Sequence, residues 1–481
     1  MAGWNRRKPI DGPRTGSRLA PTLSWPHLMA MGVGSIVGTG ILTLIGTGVD
    51  RAGPAILISF IVAGVICGFA ALAYAEMSTM MPAAGSAYAY SYASLGELIA
   101  WVVGWSLILE YSLVVSTVAV GWSGYASPLL MAKLHFPAYL THGPVLGGIS
   151  CEGKFQQASF GINVPAIAII AIVTALLVRG THESARVNTA LVLLKMVTLS
   201  LFVAFALPHF NAANLHPFAP FGYGSTSGAC GVKRGAMGAA AIIFFSFYGF
   251  DAISTAAEEA KKPERDLSIG IVGSMLICTV IYILVATAAV GALPYVKFAN
   301  SAETLALILR ELGRPGVAQI VAVAAVIALP TVILGFLYGQ SRIFLGMARD
   351  GFLPPRLAAI SGRGTPTRIT ILTAIVVSIL AGILPIDQIA ALANAGTLIA
   401  FIAVGASLMV MRRRRPDIPR PFRTPAVWLV GPGAILGCLY LFTSLPAKTI
   451  EWCLLWNAIG LVIYVLYGRH RSLLGQEAPK L

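Results

Sequence analysis

The 481-residue chain is 57% hydrophobic and only 11% charged, with a mean hydropathy of +0.80 and a formal charge of +15. Soluble domains carry about 25% charged residues, so the composition excludes an ordinary soluble protein and points to a polytopic helical membrane protein. The positive balance calls for no nucleic-acid partner, because in a membrane protein the meaning lies in how Lys and Arg divide between loops.

Residues 1–25 hold Arg6, Arg7, Lys8, Arg14 and Arg18. They are too polar and too long for a cleaved signal peptide and read as a cytoplasmic N-terminal tail. A spanning helix needs about 20 apolar residues. By that measure twelve spans follow: 27–49, 54–78, 98–127, 163–179, 188–208, 237–260, 268–293, 316–342, 368–385, 388–411, 425–446 and 450–467. The third and eighth are long enough to tilt strongly. The core is expected over 26–410, followed by a basic loop at 411–424, two last spans within 425–467 and a cytoplasmic tail at 468–481.

Charge tests the count. With both termini cytoplasmic, 24 of the 34 Lys and Arg residues fall inside, 9 fall outside, and Lys195 lies within a span. Positive residues near spans stay on the inner side, and a miscount of one span erases the bias. The expected location is therefore a plasma membrane, in bacteria the inner one.

The cysteines and histidines are unpatterned. Cys67, Cys278, Cys438 and Cys453 fall in apolar segments, and Cys151 and Cys230 fall in outer loops. A disulfide between the last two is one expectation for an oxidising outer face, and two unpaired loop thiols are the alternative. His27, His135, His142, His182, His209, His216 and His470 fall in loops, tails or span ends, without His-x-x-x-His or Cys-x-x-Cys spacing. No metal, cofactor or enzymatic activity is expected.

Three ionisable residues sit where a membrane makes them expensive, at about 2.5–3.5 kcal/mol each on insertion scales. Lys195 lies a turn or two inside the fifth span, where it either snorkels to the interface or acts as an internal ammonium on backbone carbonyls. Glu110, near the middle of the third span, must face the protein interior or a water-filled cavity, in a functional or a hydrogen-bonding role. Asp251 follows Gly249 in "FFSFYGFDAISTAAEE" and reads as the start of a second half-helix, since Asp is a poor helix-interior residue and a good cap. Glu76, Glu258 and Glu259 are placed at inner ends.

The glycines of "GVGSIVGTGI" (32–41) in the first span have two readings. Gly34 and Gly38 form a small-xxx-small pair suited to close helix packing. Alternatively they mark a break, paired with Gly249-Phe250-Asp251 five spans later. Interrupted helices in corresponding positions are the pointer to an inverted-repeat secondary transporter. Half-helix N-termini there offer N–H groups to a carboxylate, and half-helix C-termini offer carbonyls to an ammonium.

With these residues in view, "GVGSIVGTGI", "AYAEMSTMMPAAGSAYAYSYASLGELIAWVVGWSLILEY" and "FFSFYGFDAISTAAEEAKKPERDLSIGI" resemble the amino acid–polyamine–organocation superfamily, and within it the cationic amino acid transporter family and its bacterial relatives. The similarity covers 25–467. It implies an all-α fold of ten spans in two inverted repeats plus two extra spans, with spans 1 and 6 unwound at mid-membrane. It implies a substrate carboxylate at Val37, Gly38, Thr39 and Gly40, with the Ile36 backbone nearer the amine. Carbonyls of Phe245, Ser246 and Tyr248 are implied for the ammonium, Phe250 as an outer gate, Lys195 for proton coupling and Glu110 as an important acid. Only Glu110 and Asp251 are at hand to meet a cationic side chain, and both have other duties. The expected function is proton-coupled symport of neutral or broad-range L-amino acids. An exchanger, or a cationic amino acid or polyamine carrier, is the alternative. Expected partners are the amino acid, protons and membrane lipid.

Overall fold

Long apolar runs satisfy their backbone in hydrocarbon only by coiling on themselves. The computed structural model describes residues 5–9, 23–83, 85–144, 148–149, 155–156, 159–179, 185–228, 231–298, 301, 303–354 and 367–476. In chain order the longer helices are α1 (Trp25–Ile36), α2 (Ile45–Ala52), α3 (Ile56–Met80), α4 (Ser86–Ser94), α5 (Glu97–Leu134), α6 (Val164–Val178), α7 (Ala185–Ala206), α8 (Ala236–Ile243), α9 (Asp251–Thr255), α10 (Pro263–Ala292), α11 (Thr304–Glu311), α12 (Pro315–Ala328), α13 (Pro330–Arg349), α14 (Thr367–Ile383), α15 (Ile386–Arg414), α16 (Val427–Thr443) and α17 (Ala447–Ile463). Two small antiparallel ladders join β1 (Gly148–Ile149) to β2 (Phe155–Gln156) and β3 (Thr226–Ser227) to β4 (Lys233–Arg234), with Gly148 opposite Gln156 and Thr226 opposite Arg234.

Among the described residues, eight stretches are long and apolar enough to cross a membrane, and α6, α14 and α16 are shorter apolar helices. Large apolar side chains such as Leu276, Leu436 and Leu466 point outward, as a surface solvated by lipid allows. The chain is an all-helical polytopic membrane protein.

Most expected spans coincide with helices to within a few residues. Two helices were not expected. α4, nine residues of small and aromatic side chains, and α11, eight residues, are too short to span, so a length criterion passes over them. The long eighth segment divides at Leu329, because Pro330 lacks an N–H and its ring crowds the preceding turn. The postulated Cys151–Cys230 pair lies outside the described residues.

Loop contacts gather at two ends. At one end, Leu23 and Lys261 share a backbone hydrogen bond (2.7 Å), Arg412 pairs with Glu76 (2.7 Å), and Leu473 donates to the Asp350 carbonyl (3.1 Å). At the other, Gly235 donates to the Arg51 carbonyl (2.9 Å), Asn163 to Gly382 (3.1 Å) and Asn211 to Gly291 (2.9 Å).

Candidate functional site

Helix α1 ends at Ile36, and Val37 is extended (φ −74°, ψ 96°) with its N–H on the Val33 carbonyl at 2.8 Å. The chain resumes as a π-helical turn, Gly40–Leu44, before α2. A helix end strands its last carbonyls, and other helices supply donors for them here. Lys195 of α7 donates its Nζ to the Gly34 carbonyl at 2.7 Å, and the Tyr282 hydroxyl of α10 bonds the Ile36 carbonyl at 2.8 Å. The wide turn is served the same way, by Tyr125 on Leu42 (2.7 Å) and Thr304 on Thr43 (3.2 Å).

The second interruption mirrors the first. α8 stops at Ile243, a 3₁₀ turn covers Phe244–Ser246, and α9 starts at Asp251. Asn394 of α15 donates to the Ala241 carbonyl at 2.7 Å. Asp251 reaches back to accept the Gly249 N–H (3.0 Å) and also accepts the Tyr111 hydroxyl (2.7 Å). Glycine is required where the two interruptions meet. Gly249 has φ +120°, and a Cβ there sits 2.9 Å from the Ser35 carbonyl carbon. A Cβ on Gly40 lies 2.4 Å from the Ser246 Cα.

Between the interruptions lies a small, narrow pocket, with room for little more than a water as it stands. Ile36, Gly38, Thr39, Gly40, Phe245 and Tyr248, all expected site residues, line it. The expected residues Val37, Ser246 and Phe250 do not. Ser246 packs behind Gly40, and the Phe250 ring lies 5.7 Å from Tyr74 and 5.3 Å from Phe401. The rest of the wall is Ser35, Val114 and Val118 of α5, and Val332 and Phe336 of α13. Sequence reasoning missed these residues. Their i, i+4 spacing is ordinary for apolar helices, and no chemistry marks them. Thr39 Oγ1 and Ser246 Oγ are buried without a hydrogen-bond partner, so polar valence is open in the apolar surroundings.

Lys195 is 3% exposed, with its Nζ on the Gly34 carbonyl, so its side chain points into the bundle and does not snorkel to the interface. Glu110 is 1% exposed, and both carboxylate oxygens lack a hydrogen bond of normal geometry; Thr397 and Asp251 are the polar groups that bear on it. Glu76 and Glu259 prove more enclosed than an interfacial placement suggests: Glu76 is 1% exposed between Arg412 and Arg420, and Glu259 pairs with Arg342. The described residues hold no cluster of His, Cys, Asp or Glu fit for a metal.

A family profile described as Amino acid permease matches residues 23–466. The chain belongs to the amino acid permease family. The family lies in the amino acid–polyamine–organocation superfamily, and the permease is a transporter rather than an enzyme. It is 42% identical over 451 residues to the branched-chain amino acid permease BcaP of Bacillus subtilis, covering 93% of each chain. It is 39% identical over 482 residues to the methylthioribose transporter of the same organism, covering 99% of the permease and all of that relative. It is 34% identical over 425 residues to the vacuolar cationic amino acid transporter 2 of Arabidopsis thaliana, covering 86% of the permease but 63% of the plant protein.

Proposed function

We propose that this permease is a proton-coupled symporter of small aliphatic, neutral L-amino acids that works by alternating access. The observation that carries the reading is the cavity between the two interruptions, with backbone polar groups on one side and valines on the other. The Val37 N–H is spent on Val33. The N–H groups of Gly38, Thr39 and Gly40, at the start of a new turn, are therefore the cradle for the carboxylate. Carbonyls of Ile36, Phe245 and Tyr248, which line the cavity where Ser246 does not, take the ammonium. Val114, Val118, Val332 and Phe336 receive a branched or short apolar side chain, and among the described residues no carboxylate lines the cavity to receive a cationic one. Phe245, which lines the cavity where Phe250 does not, is the better gate.

Lys195 supplies the proton coupling. Protonated, it holds the Gly34 carbonyl, two residues before the cavity-lining Ile36. Deprotonated, it keeps only the weaker bond of a neutral amine, which loosens the end of α1. A proton and a substrate bound together then favour one conformation, which is how linkage couples two ligands. Glu110 and Asp251 complete the polar interior of the bundle.

The Trp25–Met80 stretch of 56 residues is about 84 Å of helix, against about 30 Å of hydrocarbon. It is read as two passes. With the three shorter helices as one pass each, the count is twelve, arranged as two five-span inverted repeats plus two spans. Both termini then lie on the cytoplasmic side of a bacterial inner membrane.

A second reading rests on the methylthioribose relative, similar over its whole length. Uptake of labelled leucine, alanine and arginine into proteoliposomes, with and without a proton gradient and with methylthioribose as competitor, separates the readings. Gradient-driven leucine and alanine uptake, lost in Lys195→Ala, is the expected result. Uptake indifferent to the gradient indicates exchange, arginine as sole substrate overturns the neutral preference, and competition by methylthioribose alone favours the thiosugar.

A further inference from the structure

The last turn of α15 carries Arg412, Arg413 and Arg414, and Arg415, Arg420 and Arg423 follow. Their duties divide. Arg420 donates to the Met411 carbonyl (3.1 Å) and the Arg415 carbonyl (2.7 Å), so the end of α15 is already capped. Arg412 and Arg420 pair with Glu76 at 2.7 and 3.2 Å. Arg415 pairs with Asp417 at 3.5 Å. Arg413 and Arg414 have no carboxylate partner among the described residues and cap nothing. Arg413 lies over the Trp428 ring, 4.9 Å from its centroid. Trp428 and Leu429 are exposed at the start of α16, so this cation stands where an outward apolar face begins. Amphipathic rings favour that level of a bilayer.

The N-terminal segment brings a third cation to the same corner. Lys8 is pinned by its N–H on the Tyr92 carbonyl (3.2 Å) and by its Nζ on Asp350 (2.7 Å). Its neighbour Arg7 lies near enough to Arg414 for the two like charges to act on each other. Burial and that charge together pull the Arg7 guanidinium down. Arg7 Nε and Arg6 Nη1 are buried without a hydrogen-bond partner. Exposed Arg413 and Arg414 without a described carboxylate partner, with Arg7 brought beside Arg414 and the nearby Asp350 already held by Lys8, suit an anion.

We infer that Arg7, Arg413 and Arg414 bind the headgroup phosphate of an anionic phospholipid, with Trp428 against the upper part of its acyl chains. Guanidinium forks match phosphate geometry, and juxtamembrane basic clusters attract anionic lipid. Trp428 and Leu429 have something to offer a lipid and nothing to offer a soluble phosphate ion.

The test uses the full chain in zwitterionic liposomes doped with brominated phosphatidylglycerol, or with the same mole fraction of brominated phosphatidylcholine. The Trp428 signal is isolated by difference from Trp428→Phe. Quenching of that signal by the anionic lipid is expected to exceed quenching by the zwitterionic one. Replacing Arg7, Arg413 and Arg414 by Gln should reduce the preference roughly fivefold per charge removed, and Arg314→Gln, an exposed arginine in the turn between α11 and α12, should leave it unchanged. Raising the salt concentration should weaken the preference in the unmodified protein, which keeps the test valid if the triple variant fails to fold. Equal quenching by both lipids, or a preference that survives the triple replacement, overturns the site. Loss of the preference to millimolar inorganic phosphate at constant ionic strength also overturns it, by assigning the arginines to a soluble anion.

Discussion

Gly40 and Gly249 are the residues on which the meeting of the two interruptions depends. Gly249 carries a φ open to few other residues, and Gly40 lies against the Ser246 backbone. Gly68, by contrast, is in α3 with nothing within 4 Å of its missing Cβ. Gly249→Ala adds backbone strain of about 1–3 kcal/mol to a clash with Ser35, and Gly40→Ala forces the two interruptions apart. Both should abolish leucine uptake and lower the melting temperature of the purified protein. Gly68→Ala should raise stability by up to about 1 kcal/mol, because it removes a helix-interior glycine at no steric cost. Thermal unfolding of the three variants in one detergent distinguishes these outcomes. The two sequence readings of "GVGSIVGTGI" turn out to belong to different glycines. A Cβ on Gly32 falls 2.6 Å from Ser274 Oγ and one on Gly34 falls 2.9 Å from Val192, so both are close-packing glycines inside α1. Gly38 and Gly40 lie beyond its end. The glycine pattern is visible in the sequence, but where the helix stops depends on Lys195 and Tyr282 arriving from other elements to take its carbonyls.

At the scale of elements, the stranded carbonyls and the buried carboxylates explain how interrupted helices survive in an apolar bundle. Glu76, at the end of α3, accepts Arg412 of α15, the Thr424 N–H (2.7 Å) and Arg420. One carboxylate thus ties α3, α15 and the segment leading into α16. Glu76→Gln keeps an acceptor for Thr424 but leaves two guanidiniums enclosed without their counter-charge. Removing one partner of a buried pair costs about 3–5 kcal/mol. The variant should therefore melt well below the unmodified protein, and replacing Glu76, Arg412 and Arg420 together by apolar residues should recover most of the loss. Full stability in Glu76→Gln contradicts the tie. This contact was only half legible. The sequence placed Glu76 near a span end and six arginines in 411–424, but the pairing crosses more than 300 residues of chain. The valine wall was hidden for the opposite reason. Val114, Val118 and Val332 look like any lipid-facing or packed valine, and only the bundle geometry turns them toward one cavity.

For the whole molecule, hydropathy carried most of the information, because lipid permits only helices, while the side on which each loop stays is the prediction that the Lys and Arg bias makes. Contacts between element ends pair 23 with 261, 76 with 412 and 350 with 473, and 51 with 235, 163 with 382 and 211 with 291. Single cysteines in a background without native ones test the topology. Lys262→Cys and Lys297→Cys flank α10, and Arg415→Cys and Lys448→Cys flank α16. All four positions are exposed, so labelling reports sidedness rather than burial. An impermeant maleimide on intact cells should label Lys297→Cys and Lys448→Cys, and label the other two only after permeabilisation. Loss or gain of one span between α10 and α16 moves Lys448→Cys to the same side as Lys262→Cys while leaving Lys297→Cys in place. The pattern across the four sites therefore tests the crossing count through the second half of the chain as well as its orientation.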